Sequence, residues 1–292
     1  MRERLAFIFV MLTFGSIGLF VRNIQLSSSE IALFRAMIGS LVILFITLLW
    51  RKKTSFWVDR KNGVLLFVSG GAMGFNWIFL FEAYRFTTIA NATLSYYFAP
   101  VIVMLLAPFV LKEKWTLQKG IAIVTALTGL FFVVNPETGD ASTYQHLVGV
   151  GYGLMAAVLY ASVILINQFI KEMNGFQRTV VQLVVASIVL TPYVYVTEGF
   201  SLEGFEARSV LLLIVLGAFH TGVAYFIYFS ILPRLSAQTV SVLSYIDPIS
   251  AVFFSALFLG EKMTLLQILG GILILGSTFI SERKPRMQVD QN

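Results

Sequence analysis

Residues 97–117 read YFAPVIVMLLAPFVLKEKWTL, and residues 245–265 read YIDPISAVFFSALFLGEKMTL. Laid without gaps at an offset of 148, they agree at seven of 21 positions: Tyr97/Tyr245, Pro100/Pro248, Leu111/Leu259, Glu113/Glu261, Lys114/Lys262, Thr116/Thr264 and Leu117/Leu265. Each copy is a long apolar helix that ends in a Glu-Lys turn and leads into another apolar helix. In so hydrophobic a chain, duplication of this pattern predicts a membrane machine made of two repeats.

Composition points the same way. The chain is 58% hydrophobic and 12% charged, about half the charged fraction of a soluble domain. So few charges cannot cover a water-facing surface of 292 residues, and membrane lipid is the expected solvent. The formal charge of +6 does not indicate nucleic acid, because the basic residues fall in short clusters between apolar runs. There is no cysteine and there are two histidines, His146 and His220. Neither a disulfide framework nor a metal cluster is expected, and no cofactor is implied. Residues 5–21 follow Arg2 and Arg4 as in a signal peptide, but Arg22-Asn23-Ile24 offers no small-residue cleavage site. The segment reads as a first membrane span.

About 20 apolar residues cross a bilayer as a helix. That rule predicts an all-α integral membrane protein with ten spans, at about 5–21, 30–50, 63–84, 89–110, 117–134, 147–170, 179–197, 209–231, 237–259 and 264–281. The repeats then occupy residues 5–134 and 147–281, five spans each. With the N-terminus placed in the cytoplasm, 16 of the 21 Lys and Arg residues fall inside, including Arg51, Lys52, Lys53, Arg283, Lys284 and Arg286. Only Arg22, Arg85, Arg208 and Lys262 fall outside, and Arg35 lies within a span. This bias predicts both termini in the cytoplasm of a plasma membrane. The outer connections carry Glu137, Asp140, Glu198, Glu203 and Glu206. An odd number of spans per repeat turns the second copy over. Glu113-Lys114 then lies inside and Glu261-Lys262 outside, the arrangement of an inverted repeat suited to alternating access.

The stretch from Phe81-Glu82-Ala83-Tyr84-Arg85 through Leu94-Ser95-Tyr96-Tyr97-Phe98-Ala99-Pro100 to Leu111-Lys112-Glu113 resembles the EamA type of the drug/metabolite transporter superfamily. So do Ser244-Tyr245-Ile246-Asp247-Pro248, Leu259-Gly260-Glu261 and the arginine-bearing Leu33-Phe34-Arg35-Ala36. The resemblance covers essentially the whole chain. It implies a ten-helix prokaryotic exporter of small metabolites, amino acids among them, with some members moving drugs. It carries no signature for one substrate.

Ionisable groups inside spans are costly and mark candidate sites. Here they are Arg35, Glu82, His220 and Asp247, none of which is duplicated: Glu82 corresponds to Ser230, Ala72 to His220 and Ala99 to Asp247. Arg35 and Glu82 lie at similar depth and are expected to pair, either as a helix staple or as an outer gate and anchor for a charged substrate. Asp247 precedes Pro248 near mid-span, with His220 at mid-span in the preceding helix. They serve either to satisfy a bend or to carry a coupling proton. Pro100 and Pro248 predict paired kinks in the central helices. Asn76, Trp77, Tyr96, Tyr97, Tyr160 and Tyr245 are candidate cavity residues; for Trp77 and Tyr160, plain packing is the competing reading. Glu113 and Glu261 are expected to cap or hinge the helices that follow them. The GxxxG pairs Gly70/Gly74 and Gly149/Gly153 predict close helix contacts.

The leading reading is a secondary transporter that exports small metabolites, with a small-molecule substrate, as a monomer or homodimer. A multidrug or cation exporter is the alternative. No GxxxxGK[ST] loop supplies an ATP motor. An intramembrane enzyme would need a clustered set of catalytic groups, and a scaffold gains little from inverted duplication.

Overall fold

A computed structural model describes residues 1–49, 58–134, 141–199 and 206–282. Among these residues the chain is helical throughout, with no strand. Arg51, Lys52, Lys53, Glu137, Asp140, Glu203, Arg283, Lys284 and Arg286, used above to orient the chain, lie outside the described residues.

The first five spans are α1 (Arg2–Gly15) with α2 (Ile17–Arg22), α3 (Ser28–Leu49), α4 (Arg60–Phe86), α5 (Ile89–Tyr96) with α6 (Ala99–Val110), and α7 (Leu117–Val134). The second five are α8 (Ala141–Asn167), α9 (Gly175–Thr197), α10 (Ala207–Val215) continued through a π-helical segment, Leu216–Val223, into α11 (Ala224–Ile231), α12 (Ala237–Ser244) with α13 (Ile246–Leu259), and α14 (Leu265–Glu282). Among the described residues, nine helical stretches are long and apolar enough to cross a bilayer, and a shorter apolar stretch covers Leu265–Ile280. Phe109, Leu117, Val196 and Leu265 are each at least 77% exposed, a surface suited to lipid rather than water. The protein is a multi-pass membrane protein.

The repeat holds at the level of single residues. Shifting α5 by 148 gives the bounds of α12, and shifting α7 gives those of α14. The caps follow. Thr88 Oγ1 accepts from the Asn91 amide at 3.1 Å, and Ser236 Oγ accepts from the Thr239 amide at 3.2 Å. Thr116 and Thr264 cap α7 and α14 in the same manner, each at 3.2 Å. These hydroxyls satisfy amides that have no partner within their helix. Lys112 (φ 57°) and Gly260 (φ 67°), also 148 apart, both adopt the left-handed conformation that ends a helix.

At each predicted kink the span is broken outright. Spans four and nine are interrupted, at Tyr97–Phe98 and at Tyr245. Pro100 and Pro248 sit in the first turns of α6 and α13. A first-turn proline lacks an amide that would be unpartnered anyway, and its fixed φ suits a helix start. The equivalent halves α7 and α14 meet backbone to backbone: a Cβ on Gly270 would stand 2.5 Å from the Gly129 carbonyl oxygen.

Candidate functional site

The interruptions place two side chains against each other at the centre of the protein. Tyr97, at the break of span four, donates from its hydroxyl to Asp247 Oδ2 at 2.6 Å. Asp247 lies in the first turn of α13, where the amide end of the half-helix favours a carboxylate. Tyr97, Tyr245 and Asp247 are only half-buried although they sit at mid-span. Tyr96 packs edge-on against Tyr97 with centroids 5.9 Å apart, and Tyr160 tilts over Tyr96 at 5.4 Å. Tyr160 is 40% exposed. Tyr245 occupies the position repeat-related to Tyr97.

Arg35 is the second pole. It is 3% exposed. Its Nε donates to Thr221 Oγ1 at 2.8 Å, and its guanidinium lies over Trp77 at 4.2 Å and Phe81 at 5.8 Å from the ring centroids. A planar cation stacked on indole is well held in a site poor in water. Thr221 is presented by the π-helical segment, whose wider turn commonly marks a functional position. Tyr225, Tyr84, Tyr96 and Asp247 all lie within electrostatic reach of Arg35. No ion pair joins Arg35 to Asp247 among the described residues. The two charges therefore stand within reach of each other, among aromatic side chains, without pairing. Trp77 and Tyr225 are 148 apart, so each half of the repeat places an aromatic side chain near Arg35.

Three expectations are corrected. Arg35 and Glu82 do not pair: Trp77 and Phe81 form the face of α4 turned to Arg35, and Glu82 lies about 100° round the helix from Phe81. His220 does not join Asp247. Its Nε2 meets Ser16 Oγ at 3.0 Å, its Nδ1 faces the Val215 carbonyl at 3.3 Å, and Phe20 packs on its ring. Asn76 is buried and donates to the Ala156 carbonyl at 2.6 Å, which fastens α4 to α8. Tyr84, Thr221 and Tyr225 were not singled out from sequence; the aromatic match between Trp77 and Tyr225 was the available signal.

Hydrogen bonds tie together the helix ends around Arg22. Arg22 Nη1 donates to the Tyr84 and Thr87 carbonyls at the end of α4. Arg85 Nη2 donates to the Leu26 carbonyl at 2.5 Å, and Ser29 Oγ donates to Glu198 at 2.8 Å. Glu261 does not cap its own following helix; it accepts from the Ile89 amide of α5 at 2.9 Å. A cavity of about 320 Å³ beside these helix ends is lined by Val21, Arg22, Ile24, Phe81, Tyr84 and Arg85. Phe81 thus stands between that cavity and Arg35.

The EamA-like transporter family model matches residues 1–135 and 147–282. The chain belongs to the EamA-like transporter family. It is 27% identical over 265 residues to an uncharacterised transporter, YxxF, of Bacillus subtilis (strain 168), covering 90% of this chain and 84% of that protein. It is 25% identical over 272 residues to solute carrier family 35 member G1 of Homo sapiens, covering 90% and 74%. A solved crystal structure at 16% identity superposes with a TM-score of 0.68 over 100% of this chain and 99% of that one, a likeness of fold. The two matched segments carry this EamA-like protein's two poles separately, Arg35 in the first and Asp247 in the second.

Proposed function

We propose that this EamA-like protein is a secondary transporter that exports small metabolites, amino acids or related compounds, across a plasma membrane by alternating access. One observation carries the reading: Arg35 and Asp247 lie within electrostatic reach of each other among aromatic side chains and do not pair. A zwitterion fits two such poles, with its carboxylate on the Arg35 fork and its ammonium toward Asp247 and the tyrosine rings. The Tyr97–Asp247 hydrogen bond spans the breaks of spans four and nine, so a change at Asp247 acts directly on the two interrupted helices. Asp247 is the coupling group, and proton release there accompanies substrate exchange. The Lys and Arg bias supports cytoplasmic termini, with the mouth at Arg22 and Glu261 on the outside.

The test is a metabolite panel in proteoliposomes under imposed pH and sodium gradients. Asp247→Asn should abolish pH-driven flux and weaken binding of a zwitterion, whose ammonium loses its charged partner. Retained pH coupling in that variant would rule out the assignment. The cluster of Tyr96, Tyr97 and Tyr160 beside Asp247 favours, as a second reading, export of aromatic or aliphatic cations. Panel hits confined to cations, with Arg35→Gln fully active, would select it.

A further inference from the structure

The two Glu-Lys turns have the same backbone and different occupations. The Glu113 amide donates to the Ala107 carbonyl at 3.5 Å, and the Glu261 amide to the Ser255 carbonyl at 3.3 Å. Both pairs are 148 apart, and both glutamates follow a left-handed residue. The side chains then diverge. Glu261 is nearly buried, with its side chain 9% exposed. It reaches across to the other repeat, where Oε2 accepts from the amide of Ile89, the first residue of α5, and Oε1 stands 4.0 Å from Arg22. Glu113 stays in its own repeat, 48% exposed and bound to Lys119 at 2.7 Å.

Inverting the Glu261–Ile89 contact through the repeat gives Glu113 on the amide of Ala237, the first residue of α12. In this structure the helices that such a contact would join are less engaged: α13 packs along α5, whereas α6 and α12 do not pack to a comparable extent. The asymmetry of the glutamates is thus the asymmetry of the two mouths. A helix N-terminus is a sound place for a detachable carboxylate, because its first amides lack partners and its dipole attracts the charge.

We propose that Glu261 and Glu113 are a pair of exchanging latches. Glu261 on the α5 amide holds one mouth closed. In the opposite state Glu261 releases Ile89, and Glu113 leaves Lys119 and closes on the Ala237 amide, sealing the other mouth. The inference rests on the alternating-access reading, and extends it by naming what holds each state.

The chain has no cysteine, so two spin labels can be placed at will. One labelled pair is at positions 86 and 262, beside the latched end of α5; its repeat image is at 234 and 114. Double electron–electron resonance distances in proteoliposomes report each mouth without needing a known substrate. Wild type should show two distance populations for each pair, in opposite proportion. Glu261→Gln should shift both ratios toward the state open at 86/262 by about fivefold, the scale of one net hydrogen bond. Glu113→Gln should shift them the other way. Ile89→Pro and Ala237→Pro remove the two receiving amides at first-turn positions that tolerate proline, and should reproduce the respective glutamate variants if either of those fails to fold. A single population in wild type overturns alternating access itself. Two populations that ignore all four substitutions, or that move in one direction for both glutamates, overturn the latch and leave the transport reading standing.

Discussion

Gly15 ends α1 where span one breaks, and the break is there because another helix needs the room. A Cβ built on Gly15 lies 2.0 Å from Ser250 Oγ, 2.6 Å from the Asp247 carbonyl oxygen and 3.0 Å from the Ala251 amide nitrogen. Ser250 Oγ can rotate away, but the Asp247 carbonyl is backbone in the first turn of α13 and must move. Reaching ordinary contact at 3.4 Å requires a retreat of about 0.8 Å, an overpacking that costs about 1–3 kcal/mol. The Tyr97–Asp247 hydrogen bond is 2.6 Å long, and the same displacement stretches it beyond useful length. Gly15→Ala should therefore lower the melting temperature in detergent by about 2–12 °C at about 2–4 °C per kcal/mol, and reduce flux together with stability. Adding Ser250→Gly should recover only part of both, since the backbone clash remains. Gly151→Ala is the control: nothing lies within 4 Å of a Cβ there, and replacing a mid-helix glycine gains a few tenths of a kcal/mol to about 1 kcal/mol. If Gly15→Ala melted and transported like Gly151→Ala, the close approach of α1 to the Asp247 turn would be wrong.

Arg35→Lys keeps the charge but loses the fork that reaches Thr221 while lying flat on Trp77; it should raise KM for a carboxylate substrate about tenfold or more, measured by counterflow in proteoliposomes. Tyr97→Phe removes the donor to Asp247, a loss of about 1–3 kcal/mol, and should weaken pH-driven flux more than substrate binding. Thr116→Ala and Thr264→Ala remove equivalent caps and should each cost about 0.5–2 kcal/mol; melting temperatures that differ widely between them would show that the caps are not equivalent.

Much of the frame was legible because the bilayer imposes it. The predicted spans fall within a few residues of the observed helices, except at the start of α8, where residue 147 was expected and Ala141 is found. Hydropathy does not see a polar or small residue that continues a helix beyond the hydrocarbon. The repeat was legible because its matched residues are caps and turn residues, whose roles are local. The site was less legible. Arg35 and Asp247 stand out as charges in apolar helices, but their partners are set by rotation about helix axes. Trp77 and Phe81 face Arg35 while Glu82 does not, and a count along the chain gives depth but not the direction in which a side chain points. His220 was assigned to Asp247 on depth alone, whereas the π-helical segment turns its ring toward Ser16. Nothing in the composition of Leu216–Val223 announces the wider turn; the glycines at 217 and 222 are its trace, since a Cβ on either would strike α3, at Ile38 and Val42 respectively.

The duplicated residues and the single ones divide the work along physical lines. Two packings of nearly equal energy are easiest to obtain when both halves share the same caps, breaks and turns, because every interaction broken at one mouth has an equivalent that forms at the other. A binding site has the opposite requirement. A solute with two different ends is oriented only by unlike groups, and a symmetric pair of arginines or aspartates would hold it in two registers or repel it. The proposed cycle would use both features: the aromatic pairs Trp77 with Tyr225 and Tyr97 with Tyr245 are related by the repeat, while the cation lies in one half and the anion in the other. On this argument Asp247→Asn, which leaves the Arg35 pole alone, should lower flux of a zwitterion well below that of the wild type. Undiminished flux would mean that the asymmetry of charge is not what orients the solute.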